Sequence, residues 1–281
     1  MLAKRKSSED RNTAAAFTLV ELIMVVAMLA LAGLCLVPAL ARTTPDTRAF
    51  QCLNNHRQLS RAWRMYADDN NERLAPNYAA PSPPAFPSYP VWAFGWLDWG
   101  APPVNTNTIL LTDPRYSALA LYCGKDARPF KCPADQFLSA TQRSRGWRER
   151  VRSVSKSYGL GGGTSGYPFD QGYYLLVRKW TELVKPSPSD TWLSMDEHPD
   201  SINDGDLLPP TATQWFDLPA NYHDGGAGVA FADGRGEIHR WESSVLKVPI
   251  TLGFFSAPVT PADDPDLLWV RNHTPKQPGA N

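Results

Sequence analysis

The sequence carries no surplus of charge of either sign, because its 281 residues include 28 lysines and arginines against 28 aspartates and glutamates. A general nucleic-acid binder normally has a basic excess, so no nucleic-acid partner is favoured. Catalytic signatures are missing as well: there is no nucleophile elbow and no zinc-helix motif, and no enzymatic activity is expected. Cysteine is scarce at four residues and forms no CxxC pair, which argues against a zinc site.

One long stretch near the N-terminus lacks charge altogether. Residues 22–41 are twenty consecutive residues drawn almost wholly from leucine, valine, alanine, methionine and isoleucine. Twenty helical residues extend about 30 Å, the thickness of the hydrocarbon core of a bilayer. Basic side chains outnumber acidic ones in residues 4–11, and the positive-inside rule keeps such a flank in the cytoplasm. The run predicts a single membrane-spanning helix with an exported remainder.

A secretory signal peptide and a plain signal anchor are the alternative readings of this segment. The apolar run is longer than the roughly 7–15 residues of a signal peptide. A plain anchor leaves Glu21 unexplained, because a carboxylate within a spanning helix costs about 2.5–3.5 kcal/mol. Glu21 is therefore a candidate functional residue.

Residues 16–21 (AFTLVE) resemble the processing site of type IV pilins and type II secretion pseudopilins. The resemblance implies that a prepilin peptidase cleaves between Ala16 and Phe17 and methylates the new amine of Phe17. It makes Glu21 the fifth mature residue and places Pro38 at the position of a frequent helix kink. Ala16 departs from the family pattern, which nearly always has glycine there.

The resemblance also implies how the protein works. Glu21 would pair with the amine of Phe17 in a neighbouring subunit and thereby favour assembly. The implied function is that of a pseudopilin in the bacterial inner membrane, with a cytoplasmic N-terminus and a periplasmic head, which polymerises into a periplasmic filament for type II secretion. Its partners would be itself, other pseudopilins, prepilin peptidase, the membrane and the inner-membrane assembly platform.

Two other functions stay open. One is a type IV pilin or minor pilin for adhesion or DNA uptake. The other is a membrane-anchored head that binds carbohydrate or acts as an enzyme. The tryptophan-rich segment 91–100 keeps the carbohydrate alternative open, because Trp96 and Trp99 could stack on sugar rings. The preferred reading is that these tryptophans pin the loop onto the head, since no polar frame for a sugar is evident.

The expected fold is α+β, with one long N-terminal helix packed by its distal half on a small antiparallel sheet. We divide the chain into a leader (1–16), a transmembrane half-helix (17–41), an amphipathic half-helix (42–70) and a head (71–281). A 4-3-4-3 spacing predicts one packed helix face. Its members are Cys52, His56, Leu59, Trp63 and Tyr66. Alternating residues on both sides of Asp233-Gly234 predict a β-hairpin.

Three scattered motifs resemble a subset of pseudopilin-like proteins. They are residues 52–59 with 66–70, the FxCPxD element at 130–135, and His223 followed after nine residues by Asp233-Gly234. The role of the third motif is open: turn and strand capping is favoured over a metal or acid–base site. Because disulfides persist in exported proteins and two cysteines match these motifs, a Cys52–Cys132 bridge is the first expectation, with Cys123–Cys132 or no bridge as alternatives.

The acidic stretch 195–206 has the oxygen-rich character of a calcium loop, without EF-hand spacing. The resemblance to pseudopilins also implies calcium here, because major pseudopilins bind calcium in a C-terminal loop. The candidate ligands are Asp196, Glu197, Asp200, Asp204 and Asp206. Hydrogen-bonded turns are the preferred reading of this stretch, so no cofactor is certain. A basic block at 143–156 and an acidic block at 186–234 further permit a head-to-tail contact between subunits, or two solvated surfaces.

Overall fold

The computed structural model describes residues 18–43, 47–77, 89–162, 173–253 and 258–278. The chain divides into two compact units, Met1–Pro45 and Asp46–Asn281. The predicted leader and the processing pair Ala16 and Phe17 lie outside the described residues.

The first unit contains helix α1 (Leu19–Thr43). Thr18 and Glu21 cap its N-terminus, since the Thr18 backbone N–H and hydroxyl both donate to Glu21 Oε2, at 2.9 and 2.7 Å. Pro38 falls inside α1. Every side chain from Leu19 to Leu31 is exposed, so α1 presents an apolar surface to its surroundings.

The predicted single helix over residues 17–70 is wrong. Helix α1 ends at Thr43, and a separate helix, α2 (Thr47–Asp69), begins beyond Pro45. Proline has no N–H to donate to a helix and disfavours a helical conformation in the residue before it. The expected long N-terminal helix is therefore two shorter ones.

The predicted membrane span over residues 17–41 is not supported either. A spanning helix needs about twenty consecutive apolar residues. No helix in the described part of the chain combines sufficient length with sufficient apolar character. This finding contradicts the expected single-pass inner-membrane location.

The second unit is built on one five-stranded sheet in the order β3-β1-β2-β4-β5. Its strands are β1 (Val154–Ser157), β2 (Trp192–Asp196), β3 (Asp206–Leu207), β4 (Gly226–Phe231) and β5 (Gly236–Arg240). The remaining helices are α3 (Ile109–Thr112), α4 (Ala140–Ser144) and α5 (Pro265–Asn272).

The sheet is mixed, which corrects the predicted antiparallel sheet. Strand β3 pairs parallel to β1, whereas β1–β2, β2–β4 and β4–β5 are antiparallel. The reason is the path of the chain: after β2 it passes the end of the sheet where β1 begins, and β3 then runs in the direction of β1. The predicted hairpin is confirmed as β4–β5, with Gly234 at φ +94° in its turn.

The packed face predicted for α2 is confirmed. Cys52, His56, Leu59 and Trp63 are fully buried, and Tyr66 is partly buried. The helix lies against strands β2, β4 and β5. Leu59 and Trp63 continue into a core that includes Trp92, Phe130 and Leu193. This face positions the sulfur of Cys52 and the ring of His56 over the sheet.

The two charge blocks meet inside the head. Arg150, Arg152 and Lys156 of the basic block are buried, as are Glu197 and Asp206 of the acidic block. Lys156 lies beside Asp206 in the β1–β3 register, and burial lowers the pKa of Lys156 to about 7 although Asp206 opposes the shift. These buried charges serve contacts within one chain, and the head-to-tail contact between subunits stays a prediction.

We expect truncation of Trp63 to destabilise the head strongly. The side chain is fully buried and its ring centroid lies 6.2 Å from that of Trp92. Trp63→Ala should lower the free energy of unfolding by about 3–5 kcal/mol, measured by denaturant titration. Met65→Ala is the matched control, because Met65 is 52% exposed on the same helix, and should change it by less than about 0.5 kcal/mol. Equal effects of the two substitutions would contradict the assigned packing face.

Candidate metal centre and binding cleft

Four metal-ligand side chains from four separate segments meet in the head. Cys52 comes from the buried face of α2, Cys132 from the FxCPxD element, Asp196 from the end of β2, and His223 from the residues before β4. One ligand atom of each lies within 4.8 Å of those of the other three, and all four residues are buried. We call this group the Cys–His cluster.

Local structure fixes each member. Cys52 faces the sheet because of the helical spacing of the α2 stripe. The Cys132 backbone N–H donates to Ser153 Oγ at 2.7 Å, which ties the FxCPxD element to the residues before β1. The His223 N–H donates to the Gly226 carbonyl at 3.1 Å in the tight turn that opens β4.

The contacts within the cluster are polar and short. The Cys52 thiol donates to Asp196 Oδ2 at 3.0 Å, and Cys132 Sγ lies 3.2 Å from His223 Nε2. His223 Nε2 is also 3.9 Å from Asp196 Oδ2. Sulfur, nitrogen and oxygen atoms therefore face one common point.

A second set of groups orients the Asp196 carboxylate. His56 Nε2 lies 3.3 Å from Asp196 Oδ1, and His56 Nδ1 lies 3.4 Å from Ser194 Oγ. The backbone N–H of Gly228 donates to Asp196 Oδ2 at 3.0 Å. A Cβ atom on Gly228 would lie 2.5 Å from Cys52 Sγ, so only glycine fits between β4 and α2 here.

The pKa values of the two thiols and of the Asp196 carboxylate shift in opposite directions. Burial, together with the adjacent Cys132 and Asp196, raises the pKa of Cys52 well above its usual value. Burial likewise raises the pKa of Cys132. Burial alone would raise the pKa of Asp196, but the neighbouring histidines and the Cys52 hydrogen bond together lower it. Without a bound ion the cluster therefore holds two neutral thiols and one carboxylate anion.

This donor set suits particular ions. Two sulfurs, one imidazole nitrogen and one carboxylate oxygen are four ligands of the kinds that zinc takes in tetrahedral sites. Calcium, in contrast, requires six to eight oxygen ligands. The absence of a CxxC pair does not exclude zinc binding, because the four ligands come from four separate segments between residues 52 and 223.

The predicted disulfide is not formed. Cys52, Cys123 and Cys132 are free thiols. The two cysteines of the predicted bridge are nevertheless neighbours. Cys52 and Cys132 both belong to the Cys–His cluster, and Cys123 does not. The sequence predicts a covalent bridge because nothing in the spacing indicates that Asp196 and His223 lie beside the two sulfurs.

The residues of the third motif lie at two different places in the structure. His223 joins the cluster, whereas Asp233 and Gly234 form the β4–β5 turn, in which the Asp233 carboxylate accepts from the Arg235 N–H at 2.9 Å. His239 stacks on Trp269 with ring centroids 3.9 Å apart. His223, Asp233 and His239 therefore lie at three different places and form no common site.

The five predicted calcium ligands are also dispersed. Asp196 belongs to the Cys–His cluster. Glu197 accepts from the Ser201 hydroxyl, and Asp200 accepts from the N–H and hydroxyl of Thr251. Asp204 and Asp206 line a small cavity of about 190 Å³. Within the described residues, no three of these five carboxylates gather as a metal-binding group, and calcium binding stays a prediction.

A larger cavity lies beside the tryptophan-rich segment. It encloses about 780 Å³, and its walls combine aromatic and polar side chains. The aromatic lining residues are Trp96, Trp99 and Phe216. The polar ones include Asp98, Arg150, Asp200 and Gln214. We call this cavity the tryptophan cleft.

Arg150 and Asp200, which line the tryptophan cleft, each have buried polar atoms without a hydrogen-bond partner among the described residues. The Arg150 guanidinium lies 4.1 Å from the ring centroid of Trp99 and donates from Nη2 to the Pro199 carbonyl. Among the described residues, neither its Nε nor its Nη1 has a hydrogen-bond partner. Asp200 Oδ1 also lacks one there. These three atoms are buried beside the aromatic side chains that line the cleft.

Comparison of the chain with known protein families, with curated proteins and with solved structures found no match.

We expect a charge-removing change at Asp217 to stabilise the head at high pH. Burial and the nearby Asp204 raise the pKa of Asp217 to about 8. Its contribution to stability is therefore present below its unfolded pKa of about 3.9 and is lost as the pH rises to about 8. Asp217→Asn removes the charge and keeps an oxygen that can accept the Leu208 N–H, as Asp217 Oδ2 does at 2.7 Å.

Urea unfolding of this variant should therefore give a gain of about 2–5 kcal/mol at pH 8 and a much smaller gain at pH 5. Asp224→Asn is the control, since this side chain is 85% exposed. A gain of equal size at both pH values would refute the assigned ionisation.

Proposed function

We propose that this chain is an assembly subunit that polymerises through α1 into a pilin-like filament. The observation that carries the proposal is the apolar surface of α1. Large apolar side chains from Leu19 to Leu31 are between 40% and 72% exposed. Burying one such side chain is worth about 1.5–3 kcal/mol, so a contiguous exposed set favours association.

The occupant that fits this surface is α1 of other copies. Each copy carries the same helix, and helices packed head to tail without closing a ring form an open helical filament. The motif at residues 16–21 supports this choice, because it resembles the N-terminus of proteins that assemble in that way. Prepilin peptidase and a type II secretion assembly platform are the corresponding proposed partners, and the role is one of assembly, not catalysis.

Glu21 provides the specificity of the contact. In the single chain its carboxylate accepts two hydrogen bonds from Thr18 and remains exposed. After cleavage before Phe17, the new amine of a neighbouring subunit is a cation of complementary charge. Among packed apolar helices this pair would be desolvated, where an unpaired charge costs about 3–5 kcal/mol.

Glu21→Gln tests the charge pair separately from the helix cap. Glutamine keeps an oxygen that can accept from Thr18 but has no negative charge. We expect filament incorporation to fall more than about tenfold, since the loss of about 3 kcal/mol exceeds one decade in an equilibrium constant. The measurement is the fraction of chain in sheared or sedimented filaments, normalised to total chain.

Glu149→Gln is the matched control, because its side chain is exposed in the second unit. Normal incorporation of the Glu21→Gln chain would overturn the charge-pair mechanism. Monodisperse wild-type chain after processing, at concentrations at which pilins assemble, would overturn the filament itself.

The tryptophan cleft favours a second function, saccharide binding by the head. Sugar hydroxyls both donate and accept hydrogen bonds, and the faces of sugar rings pack on aromatic side chains. Asp98 and Gln214 line the cleft with exposed polar groups, and Trp96 and Trp99 supply the aromatic faces. A cavity of this size lies within the range of ligand-binding pockets.

We expect Trp96→Ala to weaken binding of a soluble polysaccharide by more than about tenfold, because truncating a tryptophan anchor costs about 2 kcal/mol or more. Affinity electrophoresis through gels that contain single polysaccharides gives the measurement. Trp147→Ala is the control, since Trp147 lines a different cavity. Absence of retardation of the wild-type chain by every polysaccharide tested would remove this function and leave the filament proposal untouched.

A further inference from the structure

We propose that the Cys–His cluster holds one Zn²⁺ ion in a closed, structural site. The proposal rests on the meeting of four metal-ligand atoms within 4.8 Å of one another. It is independent of filament assembly and of saccharide binding, because none of the four ligands belongs to α1 or lines the tryptophan cleft.

The number and kind of ligands define the site. Two cysteine sulfurs, one histidine nitrogen and one aspartate oxygen complete a tetrahedral shell, which is the normal shell of structural zinc. All four residues are buried, so no coordination position opens to solvent or to a substrate. A catalytic zinc would need such an open position. The site therefore stabilises the fold and does not carry out chemistry.

Groups outside the four ligands fit the same role. Metal-binding carboxylates are usually held by further hydrogen bonds that orient them. Asp196 has the N–H of Gly228 on one oxygen and the ring of His56 close to the other. His56 is a positioning residue in this arrangement, and Gly228 leaves the space in which the ligands meet.

The binding reaction involves no oxidation. On binding, each S–H bond breaks, a zinc–sulfur bond forms, and the two protons pass to solvent. The ion, two thiolates and one carboxylate then sum to a single negative charge, next to the N–H of Gly228.

Zinc joins more of the chain than a disulfide could. A Cys52–Cys132 bridge would connect α2 to the FxCPxD element only. A metal ion bound by all four ligands would also link the end of β2 and the entry to β4 to these two segments. The three sequence motifs would each supply one ligand to this single point, namely Cys52, Cys132 and His223.

The test begins with the metal content of the full chain, purified under reducing conditions without chelator. We expect about one zinc ion per chain by plasma mass spectrometry. Cobalt in place of zinc should produce the intense visible and near-ultraviolet absorption of a tetrahedral ion with thiolate ligands. This spectrum needs no variant, so it does not depend on whether substituted chains fold.

Variants then identify the ligands. Cys132→Ser should reduce bound zinc to about a tenth or less and remove much of the sulfur-to-cobalt absorption, whereas Cys123→Ser, the matched cysteine outside the cluster, should change neither. His56→Gln should retain the cobalt spectrum but lower zinc affinity about 10–100-fold, as expected of a positioning residue.

Three results would overturn the proposal. The first is a reduced, folded wild-type chain that holds no zinc and takes up no cobalt. The second is a Cys52–Cys132 disulfide in the chain isolated under non-reducing conditions in the presence of zinc. The third is equal loss of zinc from the Cys123→Ser and Cys132→Ser chains, which would place the ion elsewhere.

Discussion

The close approach of α2 to β4 is the constraint on which the rest of the head depends. At Gly228 the strand has no side chain, and the sulfur of Cys52 and the ring of His56 occupy that space. Bringing helix and strand this close buries the apolar stripe of α2 down to Trp63 and places Cys52 beside Asp196. A larger residue on the strand would separate the helix from the sheet and open both the core and the Cys–His cluster.

Much of this arrangement could be predicted from local sequence patterns. The 4-3-4-3 stripe of α2 and the alternation around Asp233-Gly234 are short-range signals, because each reflects a periodicity that a single element imposes on its own residues. Pairing Cys52 with Cys132 was also partly correct, although as neighbours and not as a bond. No local pattern contains the crossing of chain segments. The sequence therefore predicts Asp196 as an oxygen ligand of a calcium loop, whereas the structure places it beside two sulfurs and a histidine nitrogen.

Charge gave the most misleading pattern. Blocks of one sign look like solvated surfaces or contacts between subunits when read along the chain, yet Arg152 and Lys156 lie buried near Glu197 and Asp206. The parallel pairing of β3 with β1 creates this arrangement, and a two-residue strand leaves almost no sequence signal. The division of the predicted long helix was foreshadowed by Pro45, but the sequence could equally accommodate a kink there, because proline is tolerated within bent helices.

The third motif, His223 followed after nine residues by Asp233-Gly234, sets the length of strand β4 as well as supplying a histidine. Nine residues separate His223 from Asp233, and they comprise the entry turn, all of β4 and one residue beyond it. This number of residues sets the length of the strand. The histidine lies at one end of β4, the turn lies at the other end, and Gly228 lies opposite α2 only at this length. Inserting or deleting one residue would move a side chain of Ala227 or Val229 into the place of Gly228, since neighbouring strand positions face opposite sides of a sheet. The spacing of the motif is therefore a measure of strand length.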